Sequence, residues 1–412
     1  MQTSLRALAC ACSLFVQAHH AMADEAPLTL EMAQRQALAH SRAIPAQDFA
    51  AMAAREMAVA AGRLPDPVLK AGVENVPVSG ADRYSLGADF MTMRRIGVSQ
   101  EFTNAEKRRR RAERFEAEAE KEEAMKRNVA AQIRRDAGLA WVELYFAAQG
   151  DELLAALEAQ AKMEIEAAQA AQRGARATLP DVVAAQQALL QVSARRIESG
   201  RKLRAARLNL ARWIGKDPSA DLVPMPPIEN AEAATVGHHP HLEALKREED
   251  VARADTAIAR AEEKPDWTVE VSFQQRGPSY PNMISFGISV PLQWDRSHRQ
   301  HREIAARQAL QEQAAAAHEE AEREWRAAAL IQREEWLANL VSAKQFREAI
   351  LPLAKQRQEA VLAEYRGGKA ALADLLAARR AELDVRLQAL DADAAVAKAW
   401  VSLSYYSAGE QP

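Results

Sequence analysis

A chain of 412 residues has room for two or three ordinary globular domains, but aromatics make up only 5% of it and Gly and Pro are sparse. Ala, Glu, Gln, Arg and Leu dominate; they lose least on entering a helix, so the composition signals long helices or coiled coil. The net charge of −3 excludes a global bias toward nucleic acid or an anionic membrane.

The N-terminus predicts a secretory signal over residues 1–23. Arg6 is the positive n-region, Leu8 to Val16 the apolar h-region, and Ala21-Met22-Ala23 an A-x-A site cut before Asp24. Both cysteines, Cys10 and Cys12, fall inside it, so cleavage there leaves a mature chain without thiol chemistry. Cleavage before Cys10 with lipidation is the weaker alternative, because Ala7 stands where a lipobox wants Leu. No later run reaches the roughly 18 apolar residues of a membrane-spanning helix.

Residues 24–216 form a first repeat. An Ala-rich helix ends at Pro65-Asp66 and leads into a hairpin at about 67–103. Leu69, Ala71 and Val73 alternate with Lys70, Gly72 and Glu74; Ile96, Val98 and Phe102 flank Gly97, Ser99 and Glu101. Charged, Pro-free helical sequence then runs from about Asn104 to Arg173, on the order of 100 Å at 1.5 Å per residue. A tip near 174–181 follows, where Pro180 suits a first helical turn and Asp181 complements the helix dipole. A Pro-rich linker, 217–239, closes the repeat.

The second repeat, 240–412, copies the first. His40 to Asp66 aligns without gaps on Pro240 to Asp266, and each segment reads as one helix ending in Pro-Asp. In the hairpin at about 266–292, Trp267, Val269, Val271 and Phe273 alternate with Thr268, Glu270, Ser272 and Gln274. Ile284, Phe286, Ile288 and Val290 then alternate with Ser285, Gly287 and Ser289. Helical sequence runs from about Asp295 to Arg366, interrupted only by Pro352, to a tip near 366–374 where Asp374 takes the dipole position.

Each strand is about 8–11 residues, the length a tilted strand needs to cross a bilayer. An antiparallel sheet with its apolar face on a helical core alternates in the same way. The exported context favours the membrane, and Trp267 and Trp294 at strand ends suit an interfacial girdle in contact with membrane lipid. Four strands cannot close a barrel, which needs about eight, and hydrocarbon does not tolerate open edges. Membrane-spanning strands therefore require oligomerisation.

These residues resemble the TolC-type outer-membrane efflux family. Leu28-Thr29-Leu30 with Ala33, Ala37 and Leu38 resembles its first helix, Leu64-Pro65-Asp66-Pro67-Val68-Leu69 its entry to the first strand, and Leu210-Ala211-Arg212-Trp213-Ile214-Gly215 the end of its first returning helix. Tyr365, Gly368, Leu372, Asp374, Leu375 and Leu376 match the second tip at family spacing, while the first tip is one residue longer than usual. The resemblance implies a mainly α fold: a two-repeat long α-hairpin barrel with four strands per chain, closing as a 12-stranded barrel in a homotrimer. It implies an outer-membrane location with a long periplasmic extension, and outer-membrane lipid, a periplasmic adaptor and an inner-membrane RND pump as partners. Phe90-Met91-Thr92-Met93-Arg94-Arg95 looks most like the heavy-metal branch. Drug efflux or type I secretion on the same fold is one alternative; a periplasmic coiled-coil adaptor or scaffold is another.

By the same resemblance the channel gate comprises Tyr365, Asp181 as its acidic partner, Arg366 or Lys369 as the basic residue, and Asp374 as an acidic ring. Asp181 and Asp374 read equally as first-turn helix caps. His238-His239-Pro240-His241 reads as a polar linker, since the ligand count of a metal site is missing. Met91 and Met93 lack a third soft ligand. The basic run Lys107 to Arg111, without interleaved aromatics, reads as a solvated helix face beneath the membrane surface, not a nucleic-acid site. Trp325 and Trp336 read as packing. No catalytic constellation, metal site or cofactor motif is present in the sequence, so no enzyme is expected.

Overall fold

The computed structural model describes residues 27–174, 177–218, 222–225 and 239–406. The expected signal segment, Cys10 and Cys12, His238 and most of the 217–239 linker lie outside the described residues.

Helix α1 (Leu30–His40) starts at Thr29, whose hydroxyl accepts the Met32 N–H. The chain does not continue as one helix to Pro65. It breaks at Ser41, whose hydroxyl accepts the Ala43 N–H, and restarts as α2 (Ala43–Ala61). Strands β1 (Val68–Glu74) and β2 (Met93–Phe102) follow. Next come α3 (Ala105–Arg173), an uninterrupted helix of 69 residues, and α4 (Leu179–Ile214). The second repeat gives α5 (Pro240–Ala261), β3 (Trp267–Gln275), β4 (Met283–Ser289), α6 (Gln300–Gln345), α7 (Leu351–Arg366) and α8 (Leu372–Tyr406). Among the described residues, no helix is long and apolar enough to cross a membrane.

Pro352 does not break the second long helix. A π turn at Phe346–Ile350 lies directly ahead of it, joining α6 to α7. Proline has no N–H and its ring clashes with the carbonyl four residues back; a wider turn accommodates both defects.

The helices stand side by side. α3 packs on α2 and α5 in the strand-proximal half, and α5 packs on α6; towards the tips α3 packs on α4 and α8, and α8 on α7. Small residues allow close approach: a Cβ on Gly138 would meet Gln34 and Val401 side chains at 3.0 Å. The largest core lies midway, where Leu28, Leu30, Trp141, Leu210 and Val401 converge. Trp141 is buried, stacks on Tyr145 at 5.3 Å and donates its indole N–H to the Leu28 carbonyl at 3.0 Å. A second core, around Ala168, Val182, Leu372, Leu375 and Leu376, ties the two tips together.

The four strands form one antiparallel sheet in the order β1-β2-β3-β4. The middle pairing, from Arg94 against Gln275 to Phe102 against Trp267, joins the two repeats. At Gly97 the neighbouring strand leaves no room for a side chain, since a Cβ would lie 2.6 Å from the Ser272 Cβ. The turns distal to the helices also dock on each other, the Gly87 carbonyl occupying the space of a Cβ on Gly277.

Candidate functional site

On the two inner strands the faces of the sheet are inverted relative to a water-soluble protein, while on the edge strands β1 and β4 residues of both faces are exposed. Along β3, Trp267, Val271 and Phe273 are exposed, whereas Ser272 and Gln274 are 2% and 5% exposed. Along β4, Phe286 is 79% and Ile288 73% exposed, and Leu69, Val73, Ile96 and Val98 on the first hairpin are exposed too. An antiparallel sheet packed on a helical core would hide these residues and show the polar set. Transfer of each such Phe or Ile from water to hydrocarbon is worth roughly 1.5–3 kcal/mol. The face is therefore built for an apolar medium that no other part of the described chain supplies.

The opposite face carries a charge network. Lys70 on β1 pairs with Glu270 on β3 at 2.6 Å, reaching across β2, where Gly97 stands opposite Lys70 and Ser272. Arg95 pairs with Glu74 at 2.7 Å and also with Glu270. The Gln274 amide donates to Ser272 at 2.9 Å and Ser285 at 3.0 Å. Polar groups facing one another across strands in this way suit a wall of an aqueous lumen.

Where strands meet helices, Trp267 stacks on Phe102 with ring centroids 4.7 Å apart. Trp294, 86% exposed, lies past the end of β4 in the approach to α6. Both expected girdle residues thus sit at the helix side of the sheet. The basic run beside them is solvated only in part: Arg109 is exposed, but Lys107 is not. Lys107 is 3% exposed and bonds Asp266 at 2.8 Å and Glu262 at 3.0 Å; Arg111 bonds Glu262 at 2.6 Å, and Arg108 donates to the Thr103 and Gly62 carbonyls. Burial pushes the Asp266 carboxyl up, but Lys107 and the Asn104 N–H more than offset it and hold it below the usual range.

At the tips both candidate gate acids cap their own helices. Asp181 accepts the Thr178 N–H at 2.8 Å and hydroxyl at 2.7 Å, which hold its carboxyl below the usual range. The Thr178-x-x-Asp181 capping box was readable in the sequence as a Thr three residues before an acid, and sequence reasoning missed its Thr. Asp374 accepts the Ala371 N–H at 3.1 Å. Tyr365 packs half-buried on the tip core, while Arg366 and Lys369 are exposed and make no ion pair among the described residues. The fold brings all five to one end of the wall without joining them in a contact inside one chain.

His239 is fully buried as the N-cap of α5. Its Nδ1 accepts the His241 N–H at 3.1 Å, and its ring lies 3.9 Å from Trp325 and 4.8 Å from Tyr405. Burial pushes its pKa down from 6.5 to about 4. The folded imidazole therefore stays neutral while the unfolded one takes a proton near 6.5. Stability contributed here is complete above that value and falls as pH drops towards 4, by up to roughly 3 kcal/mol. Thermal melts between pH 7 and 4 are expected to show this slope, and His239→Asn, which keeps a capping side chain, to flatten it. Trp325 packs against this histidine and Trp336 is buried against Val396, Ala399 and Leu403, as read from sequence. Among the described residues, no three His, Cys, Asp or Glu form a group able to hold a metal ion, and Met91 is exposed on the first hairpin turn.

Neither a protein-family model nor a curated protein sequence matches the chain. Solved structures do. A membrane protein from Pseudomonas aeruginosa superposes with a TM-score of 0.78 at 16% identity, covering 92% of this chain and 90% of that one. CusC, whose structures concern transmembrane channel formation, gives 0.76 at 13% identity over 92% and 91%. The outer membrane protein VceC of Vibrio cholerae gives 0.69 at 19% identity over 90% and 95%. The chain shares the fold of these proteins, mostly helical with a four-stranded antiparallel sheet.

Proposed function

We propose that the protein is the outer-membrane duct of a tripartite efflux system. The observation that carries this reading is the inverted sheet: an uncovered apolar face, a polar face with a cross-strand charge network, and two open edges at β1 and β4. Lipid on one side, water on the other and neighbouring copies at the edges satisfy all three features. Three chains of four strands would make a 12-stranded barrel. The helices supply a matching seam, since Val183, Leu190 and Ile197 recur every seven residues on α4 and are exposed. An adaptor or scaffold would use the helical hairpins but leave the apolar sheet face in water.

A periplasmic adaptor and an inner-membrane pump complete the assembly, the long helices bridging towards them. Heavy-metal cations are the proposed cargo, on the resemblance carried by Leu64 to Pro67 and Phe90 to Arg95; drug efflux is the competing cargo. Tyr365, Asp181, Asp374 and the exposed Arg366 and Lys369 form the proposed periplasmic gate, through contacts between chains. In planar bilayers the purified trimer is expected to conduct in small closed-state steps, and Asp181→Ala with Tyr365→Phe to enlarge them severalfold. A protein that remains a soluble monomer and gives no conductance would overturn the duct reading. Unchanged steps in an assembled trimer would leave the tip acids as caps.

A further inference from the structure

We propose that Arg94 binds the phosphate of an anionic lipid at the outer rim of the sheet. The inference rests on the membrane reading above and adds a ligand to it. Arg94 and Arg95 are adjacent on β2 and point to opposite faces. Arg95 is consumed by Glu74 and Glu270 on the polar face. Arg94 shares its face with Ile96 and Val98, is exposed, and makes no hydrogen bond or ion pair among the described residues. A guanidinium on the apolar face of a membrane strand is tolerated only near the edge of the hydrocarbon, where its head reaches polar groups.

Its position meets that condition. Arg94 pairs with Val73 and Gln275 at the end of the sheet away from the helices, and eight residues further on Phe102 stacks with Trp267 at the other end. Eight residues rise about 26 Å along a strand, or about 20 Å along the membrane normal at a barrel tilt near 40°. The apolar band of such barrels is roughly 25 Å tall, so Arg94 sits at its far edge and its flexible stem spans the remainder. Phe90 and Met91, exposed just before it, are held at the neck of the turn by Arg276 donating to the Phe90 carbonyl at 3.3 Å and Asn75 to the Met91 carbonyl at 3.4 Å. A planar guanidinium beside apolar side chains matches a ligand that joins a phosphate to acyl chains, and its fork donates to two phosphate oxygens at once.

The test uses the full-length protein purified in a zwitterionic detergent. Binding of a bis-phosphorylated lipid A, of the same lipid with its phosphates removed, and of inorganic phosphate is followed by native mass spectrometry and by thermal unfolding. The expected result is retention of the phosphorylated lipid with a raised melting temperature, at least tenfold weaker retention by Arg94→Gln, partial recovery in Arg94→Lys, and little effect of either control ligand. Equal retention of phosphorylated lipid by Arg94→Gln, or equal retention of the dephosphorylated lipid by the wild type, would overturn the proposal. Stabilisation by inorganic phosphate alone, lost in Arg94→Gln, would make it an ion site and overturn the lipid assignment. Failure of the wild-type protein to float with vesicles would instead refute the membrane reading.

Discussion

Lys107→Met is expected to destabilise the strand–helix junction by roughly 3 kcal/mol, the low end for breaking a buried ion pair. The ammonium is buried between Asp266 and Glu262, and its loss leaves two carboxylates facing one another in partly dry surroundings. The cost stays at the low end because Glu262 keeps Arg111 at 2.6 Å and Asp266 keeps the Asn104 N–H at 2.8 Å. Adding Glu262→Gln and Asp266→Asn is expected to recover most of the loss, since no buried carboxylate then remains unpaired and Arg111, 42% exposed, is left to water. Denaturant unfolding of the single and triple variants measures both numbers. A single variant as stable as wild type would show that the cluster is solvated in the assembled protein.

Trp141→Ala is expected to cost about 3–5 kcal/mol, the range for emptying a large aromatic site in a core. It removes the ring around which Leu28, Leu30 and Leu210 pack, the stack on Tyr145, and the only indole donor to the Leu28 carbonyl among the described residues. Trp141→Phe keeps most of the volume and loses the hydrogen bond, so roughly 1–2 kcal/mol is expected. Hydrogen exchange should localise the damage: amides of α1 are expected to lose protection before those in the middle of α3, because Trp141 helps pin the N-terminal segment to the wall, alongside Gln34 on the Arg134 carbonyl and Ala37 against Ile133 and Ala137.

The strands, the two long helices and both tips were legible because each has a period or a breaker: alternation from Trp267 to Gln274, Pro-free charged sequence after Asn104, and glycines at 174, 367 and 368. The direction of the sheet was only partly legible. Alternation fixes which residues share a face but not which medium covers it; the exported context and the tryptophans favour lipid, and the exposure of Phe286 and Ile288 against the burial of Ser272 supports that reading. Pairing of β2 with β3 was also hidden, because it joins segments more than 160 residues apart and no local pattern encodes such a register. Lys107 looked like one of five solvated cations; its burial depends on Asp266, whose counterpart Asp66 in the first repeat makes no such pair. Asp181 and Asp374 each accept a backbone N–H at the start of their own helix, the hydrogen bonds of helix caps.

In the assembled protein the apolar face of the sheet is expected to meet lipid and the charged face water. Single cysteines at 284, 286 and 288 and at 285, 287 and 289, introduced along β4 and spin-labelled in vesicles, test it by collision with oxygen and with a water-soluble nickel chelate. The account predicts two patterns of period two in opposite phase: high oxygen and low nickel accessibility at 284, 286 and 288, and the reverse at 285, 287 and 289. Nickel accessibility at 284, 286 and 288 equal to that at their neighbours, in protein that floats with the vesicles, would contradict it.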